Sequence, residues 1–312
     1  MTNILSLIGN TPQTQIQKIA RHLPENIRIH AKLERFNPGG SVKDRPAWGM
    51  VQEGLKQGLL APGKIILEST SGNTGIALAM IGAALDYPVR LVMPGNVSDE
   101  RKRICRAFGA ELIFSDPLEG SDGSIIKCRD IAAQNPDMYF KPDQYNNPAN
   151  AKAHELSTGP EIWRDTGGNI THFVAALGTT GTLVGTGRHL KRMNPAIRIV
   201  AVEPDSPFHG IEGLKHIASS IVPDIYEPDV HDEVIGISTE AAYEYTQRLA
   251  IEEGILSGLS CGCALAAAVQ LAERLAENNE AGEIVAIFPD GGEKYMSTPV
   301  FADGSVVYGE GI

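Results

Sequence analysis

Short apolar runs and helical patterns alternate along most of the chain, and no other feature limits the possible folds so strongly. Patterns typical of strands lie at 27–34, 64–68, 89–93, 110–114, 171–177, 197–202 and 284–288. Patterns typical of helices lie at 76–85, 98–108, 123–134, 183–193, 239–253 and 263–278. Because repeated strand–helix units form parallel pairs, the alternation predicts an α/β fold with mostly parallel sheets flanked by helices. Ligands of such sheets bind at the carboxyl ends of the strands.

A polar, proline-bearing segment, Asp143–Ala149, interrupts this alternation, which then begins again. The chain has 312 residues, 42% of them hydrophobic, which is enough for more than one core. We therefore predict two lobes, each with its own sheet, and place their junction at this segment.

Charge and composition limit the kinds of partner that this chain can bind. The 27 basic residues against 38 acidic ones give a net charge of -11, with no basic cluster, so we expect no nucleic-acid partner. The apolar run at 4–8 is short and has no basic residues before it, which argues against a signal peptide or a membrane span. We expect a cytoplasmic protein without a membrane partner.

The four cysteines do not follow a zinc or redox spacing. Cys261 and Cys263 resemble a metal-binding pair, but the Ala-rich helical pattern around them favours buried packing. No HExxH motif is present, so the sequence does not predict a metal site.

A glycine-bearing turn, NPGGSVKDR at 37–45, delivers Lys43 to a helix. Pro46 is tolerated only in a first turn, so the helix must begin near 43–45. The positive field at a helix N-terminus lowers the pKa of an amine and favours its use as a nucleophile or base. Taken alone, this turn is more typical of a solvated surface lysine, since most lysines are surface charges.

A second loop, Gly178–Thr182 (GTTGT), joins a predicted strand to a predicted helix. Its backbone N–H groups and threonine hydroxyls favour binding of a phosphate at the helix N-terminus. It is neither a P-loop nor a strict GxGxxG motif, and the alternative is a tight turn that prefers glycine.

Two further polar loops precede predicted helices, and the first of them directly follows a predicted strand. The segment 69–75 (STSGNTG) suits a small carboxylate bound by hydroxyl and N–H donors, or it is a polar helix cap. The segment 256–262 (LSGLSCG) precedes a predicted helix and offers Ser260 as an uncharged hydrogen-bond partner.

These motifs occur in the order and spacing of the fold-type II pyridoxal-phosphate enzymes. NPGGSVKDR, TSGNTG at 70–75, GTTGT at 178–182 and SGLSCG at 257–262 resemble those of the cysteine synthase and cystathionine β-synthase family. IGNTP at 8–12, MPGNVSDERK at 93–102 and the 294–298 run extend the similarity over nearly the whole chain. AMIGAALDYPVRLVMP and the terminal YGEGI resemble the B-type O-acetylserine sulfhydrylases.

The resemblance implies a role for each matching residue. Lys43 would hold the aldehyde of pyridoxal 5′-phosphate as a Schiff base and then move the substrate Cα proton. Asn73 would contact the 3′ oxygen of the cofactor and Ser260 its pyridine nitrogen. The remaining implied contacts fall into two groups: the phosphate would be held by Gly178, Thr179, Thr180, Gly181 and Thr182, and the substrate carboxylate by Thr70, Ser71, Asn73, Thr74 and Gln144.

The resemblance also implies a tryptophan synthase β-like arrangement of lobes. Residues 36–147 would form a small mobile lobe with the lysine and the carboxylate loop. Residues 13–35 and 148–312 would form a large lobe with the phosphate loop and Ser260, and residues 1–12 an N-terminal arm. The family implies a homodimer and leaves open whether a serine acetyltransferase docks.

A neutral serine at the pyridine nitrogen makes the ring a weaker electron sink than an aspartate would. Elimination of a good β leaving group is then favoured over racemisation. The implied reaction is β-replacement, in which O-acetylserine loses acetate and sulfide adds at Cβ to give L-cysteine.

Three alternatives stay open at this point. One is the condensation of serine with homocysteine, and another is a nucleotide-binding Rossmann protein with GTTGT around a pyrophosphate. The third concerns the substrate: Lys215 and His216 lie in a variable segment and suit a phosphate or thiosulfate, which predicts use of O-phosphoserine, unless they are simply solvated.

Overall fold

Two sheets, each flanked by helices, form the molecule in a computed structural model that describes residues 3–70 and 72–301. The larger sheet contains β1 (Gln13–Gln15), β2 (Ile27–Leu33), β7 (His172–Ala176), β8 (Arg198–Pro204), β9 (Glu233–Ile237) and β10 (Gly282–Phe288). The smaller sheet contains β3 (Ile65–Ser69), β4 (Val89–Pro94), β5 (Glu111–Ser115) and β6 (Tyr139–Phe140). The helices are α1 (Asp44–Lys56), α2 (Asn73–Leu85), α3 (Asp99–Ala107), α4 (Gly120–Gln134), α5 (Ala149–Leu156), α6 (Thr158–Asp165), α7 (Gly181–Met193), α8 (Thr239–Glu253) and α9 (Leu259–Glu277).

Both sheets are parallel apart from one edge pair. The larger sheet has the order β1-β2-β10-β7-β8-β9, in which only β1 and β2 are antiparallel. The smaller sheet has the order β5-β4-β3-β6 and is parallel throughout. The predicted α/β class is confirmed. The parallel arrangement brings the loops that follow the central strands to one end of each sheet.

The strands of each sheet come from separate parts of the chain. Those of the smaller sheet lie between residues 65 and 140, and those of the larger sheet lie at 13–33 and 172–288. Each sheet thus falls inside one of the two predicted lobes. The lobe boundaries themselves stay a prediction.

The Ala-rich helix α9 forms the centre of the larger core. It packs on β10, β2 and β7, and most of its residues are buried. By length and composition alone this helix would be able to cross a membrane, but its burial identifies it as a core helix. Small side chains allow it to lie close to the strands, because alanine adds little bulk between helix and sheet.

The predicted strands agree with the structure to within two residues, whereas three predicted helix starts were wrong by three or four residues. Helix α2 begins at Asn73 instead of 76, α4 at Gly120 instead of 123, and α9 at Leu259 instead of 263. Glycine and polar residues in these first turns are typical of loops, but here the helical backbone continues through them. Asn73 and Ser260 therefore belong to helix first turns.

The sequence analysis missed five elements: β1, β6, β9, α5 and α6. The three strands are short edge strands, and β6 has only two residues. The two helices have eight residues each and little room for a periodic pattern.

Candidate active site

One pocket lies between the two sheets, at the carboxyl ends of β3, β7 and β10. It brings together ten of the residues predicted from the sequence: Lys43, Thr70, Asn73, Thr74, Gln144, Gly178, Thr179, Thr182, Lys215 and Ser260. Thr180 and Gly181 lie between Thr179 and Thr182 in the same segment but do not line the pocket. Ser71 lies outside the described residues. Segments that are distant in sequence thus meet at one site.

Backbone contacts fix the turn before α1 and so place Lys43. The Val42 N–H donates to the Pro289 carbonyl at 2.8 Å, and the Lys43 N–H donates to Ser41 Oγ at 3.2 Å. Gly40 has φ +78°, in the left-handed region that glycine adopts without strain. Lys43 is the N-cap residue of α1, as the position of Pro46 predicted.

The pKa of Lys43 is lowered, but the main cause is not the predicted one. Desolvation of the ammonium by burial has the largest effect. Asp290 and Glu34 oppose it by stabilising the charge, and Lys294 adds to the lowering. The result is an amine that loses its proton more readily than a solvated lysine and can act as a nucleophile or a base.

The GTTGT loop leads from β7 into the N-terminus of α7. Thr182 lines the pocket, and its hydroxyl lies 3.3 Å from Nε2 of His154. The other ring nitrogen of His154 is 2.8 Å from the Thr158 hydroxyl. Burial, together with Arg45 and Lys43, lowers the pKa of His154, so the imidazole is neutral. The loop therefore presents helix N–H groups and hydroxyls to the pocket, and the neighbouring His154 adds no positive charge.

Two features of this loop suit a bound anion. Thr180 has φ +71°, which is strained for a threonine, and its buried Oγ1 has no hydrogen-bond partner in the described structure. A side chain at Gly181 would collide with Asn150, and one at Gly178 would approach the Gly213 carbonyl oxygen to 2.7 Å. No larger side chain fits at these two glycines, so the loop can keep its tight path beside the pocket.

The carboxylate loop follows β3. Thr70 Oγ1 accepts from the N–H groups of Gly72 at 3.0 Å and Gly75 at 3.2 Å, which shapes the turn. The Thr74 hydroxyl donates to Gln144 Oε1 at 2.7 Å, and Gln144 Nε2 donates to the Ser69 carbonyl at 2.6 Å. Gln144 is therefore tied to the loop that it was predicted to assist.

Ser260 lies in the first turn of α9, lines the pocket and is 6% exposed. The next residue, Cys261, points into the core, and its thiol donates to the Asp290 carbonyl at 3.3 Å. Burial raises the pKa of this thiol far above its usual value. The structure supports the packing role that we predicted for Cys261.

Lys215 lines the pocket but already has a counter-ion. Its Nζ lies 3.1 Å from Asp122 Oδ1 on α4 and 5.4 Å from the ring centre of Tyr145. Close by, Arg101 on α3 forms an ion pair with Glu212 and stacks over the Tyr295 ring. Both ion pairs join the smaller-sheet helices to the 205–228 segment.

Sequence reasoning missed several residues that hold the site together. Asn150 donates to the Gln144 carbonyl at 2.7 Å and to Thr179 Oγ1 at 3.1 Å, and so joins the carboxylate and phosphate loops. Asp290 accepts from Asn73 Nδ2 at 2.7 Å, and Lys294 Nζ donates to Asn73 Oδ1 at 3.0 Å. Only the position of Asp290, directly after a buried strand, gave a signal for any of them.

Comparison with known proteins gives a consistent assignment. A model of the family described as "Pyridoxal-phosphate dependent enzyme" matches residues 4–290. The chain is 56% identical over 301 residues to a cysteine synthase of Aquifex aeolicus, covering 96% of this chain and 92% of the relative. It is 41% identical to cysteine synthase B of Escherichia coli, with full coverage of both. A solved cysteine synthase (OASS) of Entamoeba histolytica superposes with a TM-score of 0.91 at 40% identity, covering 96% of this chain and 90% of that one. The chain belongs to the family of pyridoxal-phosphate-dependent enzymes.

Proposed function

We propose that this enzyme makes L-cysteine from O-acetylserine and sulfide. The observation that carries the proposal is the meeting of three groups at one pocket: an amine with a lowered pKa at Lys43, an anion-binding loop at Gly178–Thr182 and a carboxylate loop at 70–74. Its relatives at 56% and 41% identity are cysteine synthases, which supports the same chemistry here.

The residues of the pocket suit pyridoxal 5′-phosphate. The backbone and hydroxyls of 178–182 would hold the phosphate, and the unpartnered Thr180 hydroxyl fits an oxygen acceptor there. Ser260 would face the pyridine nitrogen, and Asn73 the 3′ oxygen. When bound, the cofactor supplies an aldehyde that reacts with amines and a ring that withdraws electrons from Cα.

The side chains of the chain would then act on the substrate. Lys43 would take the Cα proton, since desolvation favours its neutral amine. The hydroxyls of Thr70 and Thr74 and the amide of Gln144 would orient the carboxylate. Ser260, being uncharged, would leave the pyridine nitrogen unprotonated and favour loss of acetate from Cβ over a long-lived carbanion.

The test is cysteine formation from O-acetylserine and sulfide by the purified enzyme. We expect turnover and a yellow protein, whereas Lys43→Ala should fold, lose the covalent cofactor and its colour, and turn over at no more than a trace rate. Lys18→Ala, at an exposed lysine, is the matched control and should keep both. A colourless wild-type protein or an active Lys43→Ala variant would contradict the proposal.

The condensation of serine with homocysteine uses the same site and is not favoured by the relatives. Nor is the nucleotide-binding alternative, because the family match covers the GTTGT loop. Assaying serine with homocysteine beside O-acetylserine with sulfide separates this condensation from cysteine formation. A higher kcat/KM for the former pair would overturn the assignment of substrates.

The choice of leaving group is a separate prediction. Because Asp122 already neutralises Lys215, a substrate phosphate must compete with a carboxylate for that ammonium. If Lys215 nevertheless contacts the phosphate of O-phosphoserine, Lys215→Ala should lower the O-phosphoserine rate relative to the O-acetylserine rate, and Asp122→Asn should raise that ratio. Thiosulfate, as an alternative sulfur donor, is tested with the same variants. Unchanged ratios in both variants would remove Lys215 from substrate recognition.

We also propose that the enzyme is a cytoplasmic homodimer. Leu156 is exposed and lines a groove together with Ile8 and Trp48, and a second copy of the chain would cover this groove. Light scattering of the purified protein measures the mass, and a monomer would contradict the proposal.

A further inference from the structure

We propose that Asp290 and Lys294 are positioning residues that fix the side-chain amide of Asn73, so that it presents an N–H donor to the 3′ oxygen of the cofactor. The inference rests on the proposed placement of pyridoxal phosphate at this pocket. It concerns groups that the reaction itself does not use.

The two partners determine which way the amide is oriented. Asp290 Oδ2 lies 2.7 Å from Asn73 Nδ2, and Lys294 Nζ lies 3.0 Å from Asn73 Oδ1. Asp290 Oδ2 accepts here and the Lys294 N–H donates, so the flipped amide would place its oxygen against an acceptor and its NH2 group against a donor. The orientation is therefore set by chemistry.

Both partners are themselves held in place. The Tyr295 hydroxyl donates to Asp290 Oδ2 at 2.9 Å, and Lys294 Nζ donates to the Gly40 carbonyl at 2.8 Å. Asp290 is 1% and Lys294 3% exposed. Neither partner can swing into solvent without losing these contacts, so the restraint on Asn73 is rigid.

The arrangement leaves one N–H of the amide free. The oxygen is taken by Lys294 and one N–H by Asp290, so the second N–H is the donor that Asn73 offers to the pocket it lines. Donation from Lys294 to the amide oxygen polarises the amide and strengthens that N–H. Such a donor favours the ionised form of an oxygen that accepts from it.

This arrangement also connects two parts of the site. Lys294 contacts the Gly40 carbonyl, three residues before Lys43, and Asn73 at the start of α2. Asp290 and Lys294 come from the turn after β10, in the larger sheet's part of the chain. Residues after β10 of the larger sheet thereby fix the orientation of the Asn73 amide on α2, which packs on the smaller sheet.

The experiment measures the absorption spectrum of the reconstituted enzyme at fixed pH. The long-wavelength band reports the ionised 3′ oxygen and the near-ultraviolet band the protonated one, so their ratio reports the donor. Lys294→Met should lower this ratio at least twofold, and Lys294→Arg should recover most of it. Lys18→Met, at an exposed lysine, should leave it unchanged.

A double-variant cycle with Asn73→Ala separates positioning from a direct charge effect. If Lys294 acts through the amide, Lys294→Met should change the ratio in the native background but not in the Asn73→Ala background. An equal change in both backgrounds, or no change in the native one, overturns the proposal.

A second series keeps the test valid if Lys294→Met does not fold. Asp290→Asn can still accept from Asn73 and should keep the ratio, whereas Asp290→Leu should lower it; equal ratios in the two would overturn the proposal. Turnover of O-acetylserine by the native enzyme is assayed separately. A chain that binds the cofactor but makes no cysteine fails the proposed function, while the spectral test still stands.

Discussion

At the scale of single residues, Asp44 shows how far the site is shaped by burial. It follows Lys43 directly, it is fully buried, and one of its oxygens has no partner in the described structure. Burial raises the pKa of Asp44 to about 7, against the opposing effects of the Gly39 N–H and of Lys294. A buried carboxyl with a raised pKa makes the folded state less stable as the pH rises above the pKa of a free carboxyl.

The Asp44→Asn variant tests this cost. The folded state binds a proton on Asp44 that the unfolded state releases between about pH 4 and pH 7, so native stability falls as the pH rises through this window. An asparagine at this position does not titrate, so the stability of the variant does not fall in this way. The difference in the free energy of unfolding, variant minus native, should grow from near zero at about pH 4 to at most about 4 kcal/mol at about pH 8, from about 1.4 kcal/mol per pKa unit.

Denaturant unfolding of both holoenzymes at several pH values measures the difference. A difference that stays constant with pH would show that Asp44 is not protonated in the folded state. Glu273→Gln, at a half-exposed carboxylate, is the control and should show no such trend.

At the scale of secondary-structure elements, the first turns of α2, α7 and α9 provide the site. Helices α2 and α7 begin after loops that follow β3 and β7, α9 begins after the loop that follows α8, and each of the three places polar side chains at the pocket. The positive ends of α7 and α9 meet the site without lysine or arginine in their first turns. At these two helix starts, the attraction for an anion comes from backbone N–H groups and hydroxyls.

Gly181→Ala tests the start of α7. The added methyl group would collide with the Asn150 side chain, which holds Thr179 and the Gln144 backbone. We expect cofactor affinity to fall by roughly 5- to 150-fold, since overpacking costs about 1–3 kcal/mol. Retention of visible absorbance after dialysis measures the loss.

Gly95→Ala is the matched control, because the nearest atom to its added carbon would be the Ser115 carbonyl oxygen at an ordinary 3.6 Å. If both variants keep their colour equally, the close approach at Gly181 does not matter for the cofactor.

At the scale of the whole molecule, two ion pairs hold the smaller-sheet helices against the 205–228 segment over the pocket. Arg101 pairs with Glu212, and Lys215 pairs with Asp122. The two basic side chains are nearly buried and their acidic partners are more than a third exposed, so solvent screens the pairs only in part. We propose that they hold the small lobe closed over bound substrate.

Glu212→Gln removes the negative charge of the Arg101–Glu212 pair and keeps nearly the same side-chain volume. We expect the KM for O-acetylserine to rise a few-fold with a smaller change in kcat, because a partly exposed ion pair contributes about 1 kcal/mol or less. Steady-state kinetics at low salt measure the effect, which should shrink as salt is added.

Glu233→Gln breaks an exposed pair with Arg274 away from the pocket and serves as the control. An equal KM for Glu212→Gln and the native enzyme would show that this pair does not stabilise the closed form.

The sequence by itself determined the fold class, most strand positions and most of the residues that meet at the candidate site. Strand–helix alternation is a local, periodic signal, and the motifs around Lys43, Asn73, Gly178–Thr182 and Ser260 are contiguous, so both can be read from neighbouring residues. Tertiary structure decided the contacts that join distant segments. Asn150 between two loops, Asp290 and Lys294 on Asn73, and the counter-ion of Lys215 follow from how the sheets face each other. The pKa of Lys43 is set mainly by burial, and burial is a property of the packed molecule that no local pattern contains.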